Sequence, residues 1–170
     1  MHMIRLAIIP ILLLLLFSCR GQQVAEQHQP CEPLTTEDFL ERPFYFDLSV
    51  DSVLTTHQKM FDLTRFLRNV DGGHGAKDTL YRFHREKTSL VFYISPNGSG
   101  SFLTAKVADA SLELRNCIRI GMPRVRVEER ITDFPSDFRD TVSIESNRRQ
   151  AVFVFEKSRL KEVFINNYFR

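Results

Sequence analysis

No apolar stretch of this 170-residue chain is long enough to cross a membrane. The longest, Leu6 to Phe17, holds 12 residues and contains Pro10, whereas a spanning helix needs about 20. An excess of one charge is also missing: 23 Lys+Arg stand against 21 Asp+Glu. This near-balance excludes the basic footprint of a nucleic-acid binder. Cysteines number three, and none sits at zinc-ligand spacing. The sequence has no His-Glu-x-x-His pair, no phosphate-binding loop and no calcium-loop spacing. Gly98-Ser99-Gly100 lacks the Gly-x-Ser-x-Gly pattern of a nucleophile elbow and reads as a hairpin tip. No metal or cofactor is expected. The 43% hydrophobic content, with 15 Phe, argues against disorder.

What the chain does have begins at its N-terminus. Arg5, the apolar run to Phe17 and the small Ser18 have the order of a secretory signal peptide over residues 1–18. Leu16-Phe17-Ser18-Cys19 resembles the bacterial lipobox. That resemblance implies a diacylglycerol on the Cys19 thiol and a mature chain starting there. The alternative is a cysteine that merely follows an ordinary signal peptide. Position 20 is Arg; in the lipoproteins it resembles, Asp there often retains the protein at the inner membrane, so the outer membrane is expected. Each buried CH₂ of an acyl chain contributes about 0.8 kcal/mol, so two or three chains hold a protein on a membrane almost permanently. Without Arg5 the balance is 22 cations against 21 anions.

Residues 19–33 are polar and carry Gln22, Gln23, Gln27, Pro30 and Pro33. They read as a tether, which from Arg20 to Pro33 reaches about 45–50 Å when extended. Cys31 and Cys117 pair in an oxidising envelope if their Cα atoms come within about 7 Å; otherwise they are two thiols, one of them buried.

Residues 34–170 read as one α+β domain. Thr36 to Leu40 is expected to form a helical turn capped by Thr36, and Phe44 to Leu48 a strand. Met60, Leu63, Leu67 and Val70 recur at spacings of three and four, which predicts a helix over 56–70. Strands are expected over 79–85, 89–94 and 102–107, the last two flanking the turn Ser95 to Gly100. Alternation over Leu112 to Ile120 predicts another strand. Pro123 opens a second short helix, followed by strands over 141–145, 151–155 and 160–166. The order contains an apparent repeat. Asp78-Thr79-Leu80 and Leu90 to Tyr93 align with Asp140-Thr141-Val142 and Val152 to Phe155 at a constant offset of 62. Each half, about 50–110 and 111–170, reads as a helix followed by an antiparallel meander.

Ile120-Gly121-Met122-Pro123-Arg124-Val125-Arg126-Val127 resembles the Ile-Gly-Met-Ser-x-x-Glu-Val segment of small envelope lipoproteins of the SmpA/OmlA type. The architecture is also similar to the β-lactamase-inhibitor-protein fold, with two helix-plus-meander units in tandem and helices on one face of the sheet. Pro123 stands in place of the family's capping Ser, and Arg126 in place of its Glu. The first half lacks Gly-Met. The resemblance implies a fold and a habit of protein binding, with no catalytic residue.

For chemistry, His74 in its Gly-rich loop and His84 are the residues on which a hydrolase would have to be built. A solvated loop histidine is the simpler reading of His74, and Arg148-Arg149 reads as a charged hairpin turn that discourages edge pairing. The strands 89–94 and 151–155 are apolar at successive positions, and helices cover only one side of a sheet. The N-terminal segment around Phe44 to Phe46 or the other half covers the second side, or else it is a partner-binding surface including Tyr81, Phe83, Tyr93, Phe153 and Phe155. The sequence therefore points to a membrane-anchored, non-catalytic module with an envelope protein partner. Small-ligand or glycan capture is the alternative, and a hydrolase the more distant one.

Overall fold

A computed structural model describes residues 31–57, 59–69, 77–136 and 139–167. Residues 1–18, Cys19, the tether to Pro30, and His74 with its Gly-rich loop lie outside the described residues. The chain order is α1 (Thr36–Glu41), α2 (Val50–His57), β1 (Asp62–Asn69), β2 (Lys77–Arg85), β3 (Thr88–Ile94), β4 (Gly100–Val107), a 3₁₀ turn (Arg115–Cys117), α3 (Arg124–Glu128), β5 (Thr141–Ser146), β6 (Arg149–Glu156) and β7 (Arg159–Asn167). All seven strands join one antiparallel sheet in the order β1-β2-β3-β4-β7-β6-β5. The fold is mixed α/β and dominated by its sheet.

Tight turns set the registers. Between β5 and β6 the loop is Asn147-Arg148, and between β6 and β7 it is Lys157-Ser158. All four residues have positive φ, as two-residue turns matched to strand twist require. Gly98 supplies the left-handed position between β3 and β4, where its N–H donates to the Ser95 carbonyl at 2.9 Å.

Period-two alternation then sorts the side chains. Phe83, Leu90, Phe92, Phe102, Ala105, Val107, Val142, Ile144, Ala151, Phe153, Phe155, Val163 and Ile165 are all buried. The cross-strand registers place them on one side of the sheet. Phe39 and Leu40 of α1, Phe44, Val53 of α2, Leu114, Ile118, Val127 of α3, Ile131 and Phe134 close over that side. The Phe39 and Phe153 ring centroids lie 5.7 Å apart, and those of Phe134 and Phe153 5.1 Å. Each fully buried Phe contributes about 1.5–3 kcal/mol relative to exposure, so these rings fix which side of the sheet is core.

Several local expectations are corrected. The helix expected over 56–70 ends at His57, and Asp62–Asn69 forms β1 instead. Leu63 and Leu67 are four apart, a spacing that lies on one face of a helix and of a strand alike. Pairing with β2 decides between them. The strand expected over 112–120 is a chain folded back on itself. Leu114 bridges Ile118 across the 3₁₀ turn, where Asn116 and Cys117 have positive φ. Its alternating burial is real, with Leu112, Leu114, Asn116 and Ile118 all inside. The Asn116 amide is satisfied by donating to the Arg130 carbonyl at 2.6 Å. Of Phe44 to Leu48, only Phe44 makes a bridge, to Leu114; its ring stacks on Phe46 at 5.0 Å. Thr35, not Thr36, caps α1, accepting from the Asp38 N–H at 3.1 Å.

The Gly-Met-Pro segment is laced onto the β6–β7 turn. Gly121 N–H donates to the Leu160 carbonyl at 2.7 Å, Leu160 N–H returns a bond to Met122 at 2.8 Å, and Arg124 N–H reaches Ser158 at 2.9 Å. Gly121 has φ of 90°, which a side chain would disfavour. Pro123 is the N-cap of α3. Arg149 donates to the Leu40 and Glu41 carbonyls at 3.2 and 3.0 Å, so this cation of the expected charged turn ties down the end of α1.

The offset of 62 does not survive the register. The β2–β3 turn closes from Arg85 to Thr88 and the β5–β6 turn from Ser146 to Arg149, 61 positions apart (146 − 85). At 61 the buried Leu90 and Phe92 correspond to the buried Ala151 and Phe153. At 62 they fall on the half-buried Val152 and Val154. A slip of one residue exchanges the two sides of a strand.

Candidate functional site

Among the described residues, no helix covers the open side of the sheet, the one opposite the core. Registers carry rows of residues across it. One row runs Arg82, Val91, Thr104, Asn166, Gln150, Glu145, and the next His84, Ser89, Lys106, Phe164, Val152, Ser143. Leu80, Val91, Tyr93, Val152, Val154 and Phe164 are half-buried, and the registers place all six on this side. Phe44 to Phe46, one expected cover, lie on the core side with Leu114 and the α2 residue His57.

Several polar members of the surface are paired to one another. Thr104 donates to Asn166 at 2.9 Å, and Gln150 donates to Ser143 at 3.0 Å and to Glu145. Lys106 Nζ lies 3.0 Å from Glu162 and 5.1 Å from the Phe164 ring centroid. Tyr93 donates its hydroxyl to Asp78 at 2.8 Å, and Arg68 stands 4.0 Å from the same carboxylate. The hydrogen bond to Asp78 and, behind it, burial push the Tyr93 phenol above its ordinary value, with Arg68 opposing. The surface is thus a sheet of half-exposed apolar groups, several of whose polar neighbours are already paired.

The five residues expected to bind a partner are not brought together. Phe83, Phe153 and Phe155 are buried in the core. Tyr81 is half-buried on the core side, opposite Phe92. Only Tyr93 belongs to the open side. Tyr81 and Phe83 are set on the core side by their register with Phe92 and Leu90. For Phe153 and Phe155 the 62 offset exchanges the two sides of β6. The register of the tight turns, one residue shorter, was the signal that could have corrected it.

His84 stands on the open side, opposite Asp62 on β1 and Ser89 on β3. An acid, a histidine and a serine therefore share one row, the residue types of a serine-hydrolase triad. No hydrogen bond joins the ring to either neighbour, and its Nδ1 is enclosed without a partner. Among the described residues, no group of three or more His, Cys, Asp or Glu is placed to hold a metal ion.

Hollows of about 580 and 450 Å³ occur at the β5 edge, around Pro135, Asp140 and Val142, and beside α3. In the second, the Arg124 guanidinium lies 5.0 Å from the Phe155 ring centroid and 2.8 Å from Glu128. A third, about 350 Å³, lies between the start of α2 and the β3–β4 turn, lined by Val50, Tyr81, Ile94 and Gly100.

Cys31 and Cys117 form a disulfide with Cα atoms 5.7 Å apart. It straps the N-terminal segment to the folded-back loop. Leu34 N–H donates to the Arg130 carbonyl at 3.0 Å, and Thr132 N–H to Leu34 at 2.8 Å. Tyr45 accepts from the Cys117 N–H at 3.0 Å. Among the described residues no helix is long and apolar enough to cross a membrane. No family model, no curated protein and no solved structure matches this chain.

Proposed function

We propose that the chain is a lipid-anchored envelope protein that holds a protein partner on its open sheet face and performs no catalysis. The observation that carries this reading is the half-exposed apolar set Leu80, Val91, Tyr93, Val152, Val154 and Phe164, uncovered by any described element. Apolar groups interleaved with polar ones fit the make-up of non-obligate interfaces. The lipobox-like Leu16 to Cys19 supports the anchor and Arg20 an outer-membrane address. The Cys31–Cys117 pair fits an oxidising compartment. A four-stranded meander, β1 to β4, and a three-stranded one, β5 to β7, meet at β4 and β7; this supports the tandem-unit reading and the likeness to the β-lactamase-inhibitor-protein and SmpA/OmlA families.

The test has two parts. Incorporation of labelled palmitate that is lost in Cys19→Ser checks the anchor. A photo-crosslinking amino acid at Val152, in cells, then checks the face. One dominant protein adduct that disappears in a folded Tyr93→Ala/Phe164→Ala variant is the expected result. Adducts indifferent to that variant overturn the surface, and a small-molecule adduct moves the reading to ligand or glycan capture. The row Asp62, His84, Ser89 favours the competing hydrolase. Covalent labelling of Ser89 by a fluorophosphonate, abolished in His84→Ala, would replace the binding reading.

A further inference from the structure

The two edges of the sheet are treated differently. At one edge, β5 is six residues long, with α1 packed against it. Its outward residues are Thr141, Ser143 and Glu145. At the other edge, β1 is eight residues long, and β2 is its only strand neighbour among the described residues. Leu63, Phe66 and Leu67 on β1 are 44%, 51% and 54% exposed. Its cations are directed back toward β2: Arg65 lies over the Tyr81 ring at 5.7 Å, and Arg68 faces Asp78. Short edges, inward charges and covering elements keep sheets from pairing; among the described residues β1 has neither the first nor the last.

We propose that β1 pairs antiparallel with the β1 of a second copy about a two-fold axis at Arg65, joining two sheets into one. Parity restricts the register. Opposed residues on antiparallel strands point to the same side, so in a continuous sheet a core-side residue must meet a core-side residue. The axis must therefore pass through a residue and not between two. Axes at Arg65 and at Phe66 oppose equal lengths of the eight-residue strand. The axis at Phe66 sets Arg65 against Leu67 and leaves Asp62 without Arg68, so Arg65 is the better centre. About the Arg65 axis the pairs are as follows. Leu63 opposes Leu67 of the other copy twice, on the core side. Asp62 opposes Arg68 twice, on the open side, and Thr64 opposes Phe66. The charges are complementary at both ends, and the exposed leucines cover one another. The one conflict is Arg65 against itself, eased by its stacking on Tyr81. The contact is small, below the roughly 1,200 Å² of standard interfaces, so the dimer is reversible and depends on concentration. This inference does not rest on the proposed partner face.

The experiment uses the full chain in mild detergent. Light scattering over a concentration series is expected to show twice the chain mass at the upper end. Leu63→Lys/Leu67→Lys is expected to abolish the dimer with an unchanged circular-dichroism melt. Arg65→Thr shifts dimer formation to lower concentration by removing the like-charge contact. Mild oxidation of Arg65→Cys gives a covalent dimer absent from the parent chain, and a mixture of Thr64→Cys with Phe66→Cys does the same. Phe66→Cys alone does not, because its two copies sit about 8 Å apart diagonally, beyond the about 7 Å a disulfide spans. A single-chain mass at every concentration overturns the proposal. So does a dimer that survives the double lysine variant, or ready crosslinking of Phe66→Cys alone.

Discussion

Cys31 and Cys117 are 86 residues apart in the chain, yet their Cα atoms lie within 5.7 Å. The bond closes a loop holding α1, α2 and strands β1 to β4, so the first half of the sheet unfolds under a constraint. Such a bond stabilises mainly by restricting the unfolded chain, typically by about 2–4 kcal/mol. Reductant should lower the unfolding free energy of the parent, read from urea denaturation, by an amount in this range, and the midpoint with it. Cys31→Ser/Cys117→Ser should show the same midpoint with and without reductant. A parent indifferent to reductant would mean the pair is not formed in solution.

Val152 and Phe153 are neighbours in sequence and lie on opposite sides of β6. Phe153 is fully buried against Phe39 and Phe134, whereas Val152 opposes Phe164 on the open side. Phe153→Ala is expected to cost about 3–5 kcal/mol through lost burial and a residual cavity. Val152→Ser should cost at most about 1 kcal/mol, the span of strand propensities at a half-exposed position. Urea denaturation of the two variants reads the difference directly. Equal losses would mean that both sides of β6 are covered.

The same pair shows what the sequence could and could not reveal. Strands β2 to β7 were legible, because each is a short run rich in β-branched and aromatic residues, alternating or continuously apolar, that ends at turn residues. Which side of β6 faces the core was not legible. Val152 to Phe155 are all apolar, and only the hydrogen-bonded register with β7 separates them. Strand β1 was hidden for a related reason. Leu63 and Leu67 satisfy both periods, and the residues that turn the balance, on β2, are distant in sequence. The disulfide depended on Asn116 and Cys117 adopting positive φ within a loop that alternates like a strand, which no local pattern announces.

Lys157 and Ser158 both have positive φ in the two-residue turn between β6 and β7. A residue with a Cβ pays roughly 1–2 kcal/mol in this region, and Asn and Gly pay least. Lys157→Asn/Ser158→Gly therefore relieves strain while keeping the Ser158 carbonyl that accepts from Arg124 N–H. The expected gain is about 1 kcal/mol, seen as a raised thermal midpoint without a change in the far-ultraviolet spectrum. A lowered midpoint would mean the turn relies on the Lys157 or Ser158 side chain.

The Tyr93 hydroxyl donates to Asp78 at 2.8 Å, and this bond exists only while the phenol keeps its proton. The folded value is raised, first by that hydrogen bond, then by burial and by the Asp78 charge. A group with a raised folded value adds stability that is fully present below its unfolded value, about 10 for tyrosine. That stability is lost as pH climbs through the folded value. Phenolate absorbance should therefore show one tyrosine titrating later than the others, and Tyr93→Phe should remove that component. In Asp78→Asn the late component should move back toward ordinary tyrosine, because the acceptor's charge is gone even where an amide oxygen still accepts. An alkaline titration identical in Asp78→Asn and the parent would show that the contact does not hold in solution, and the open face would then present Tyr93 as a free hydroxyl.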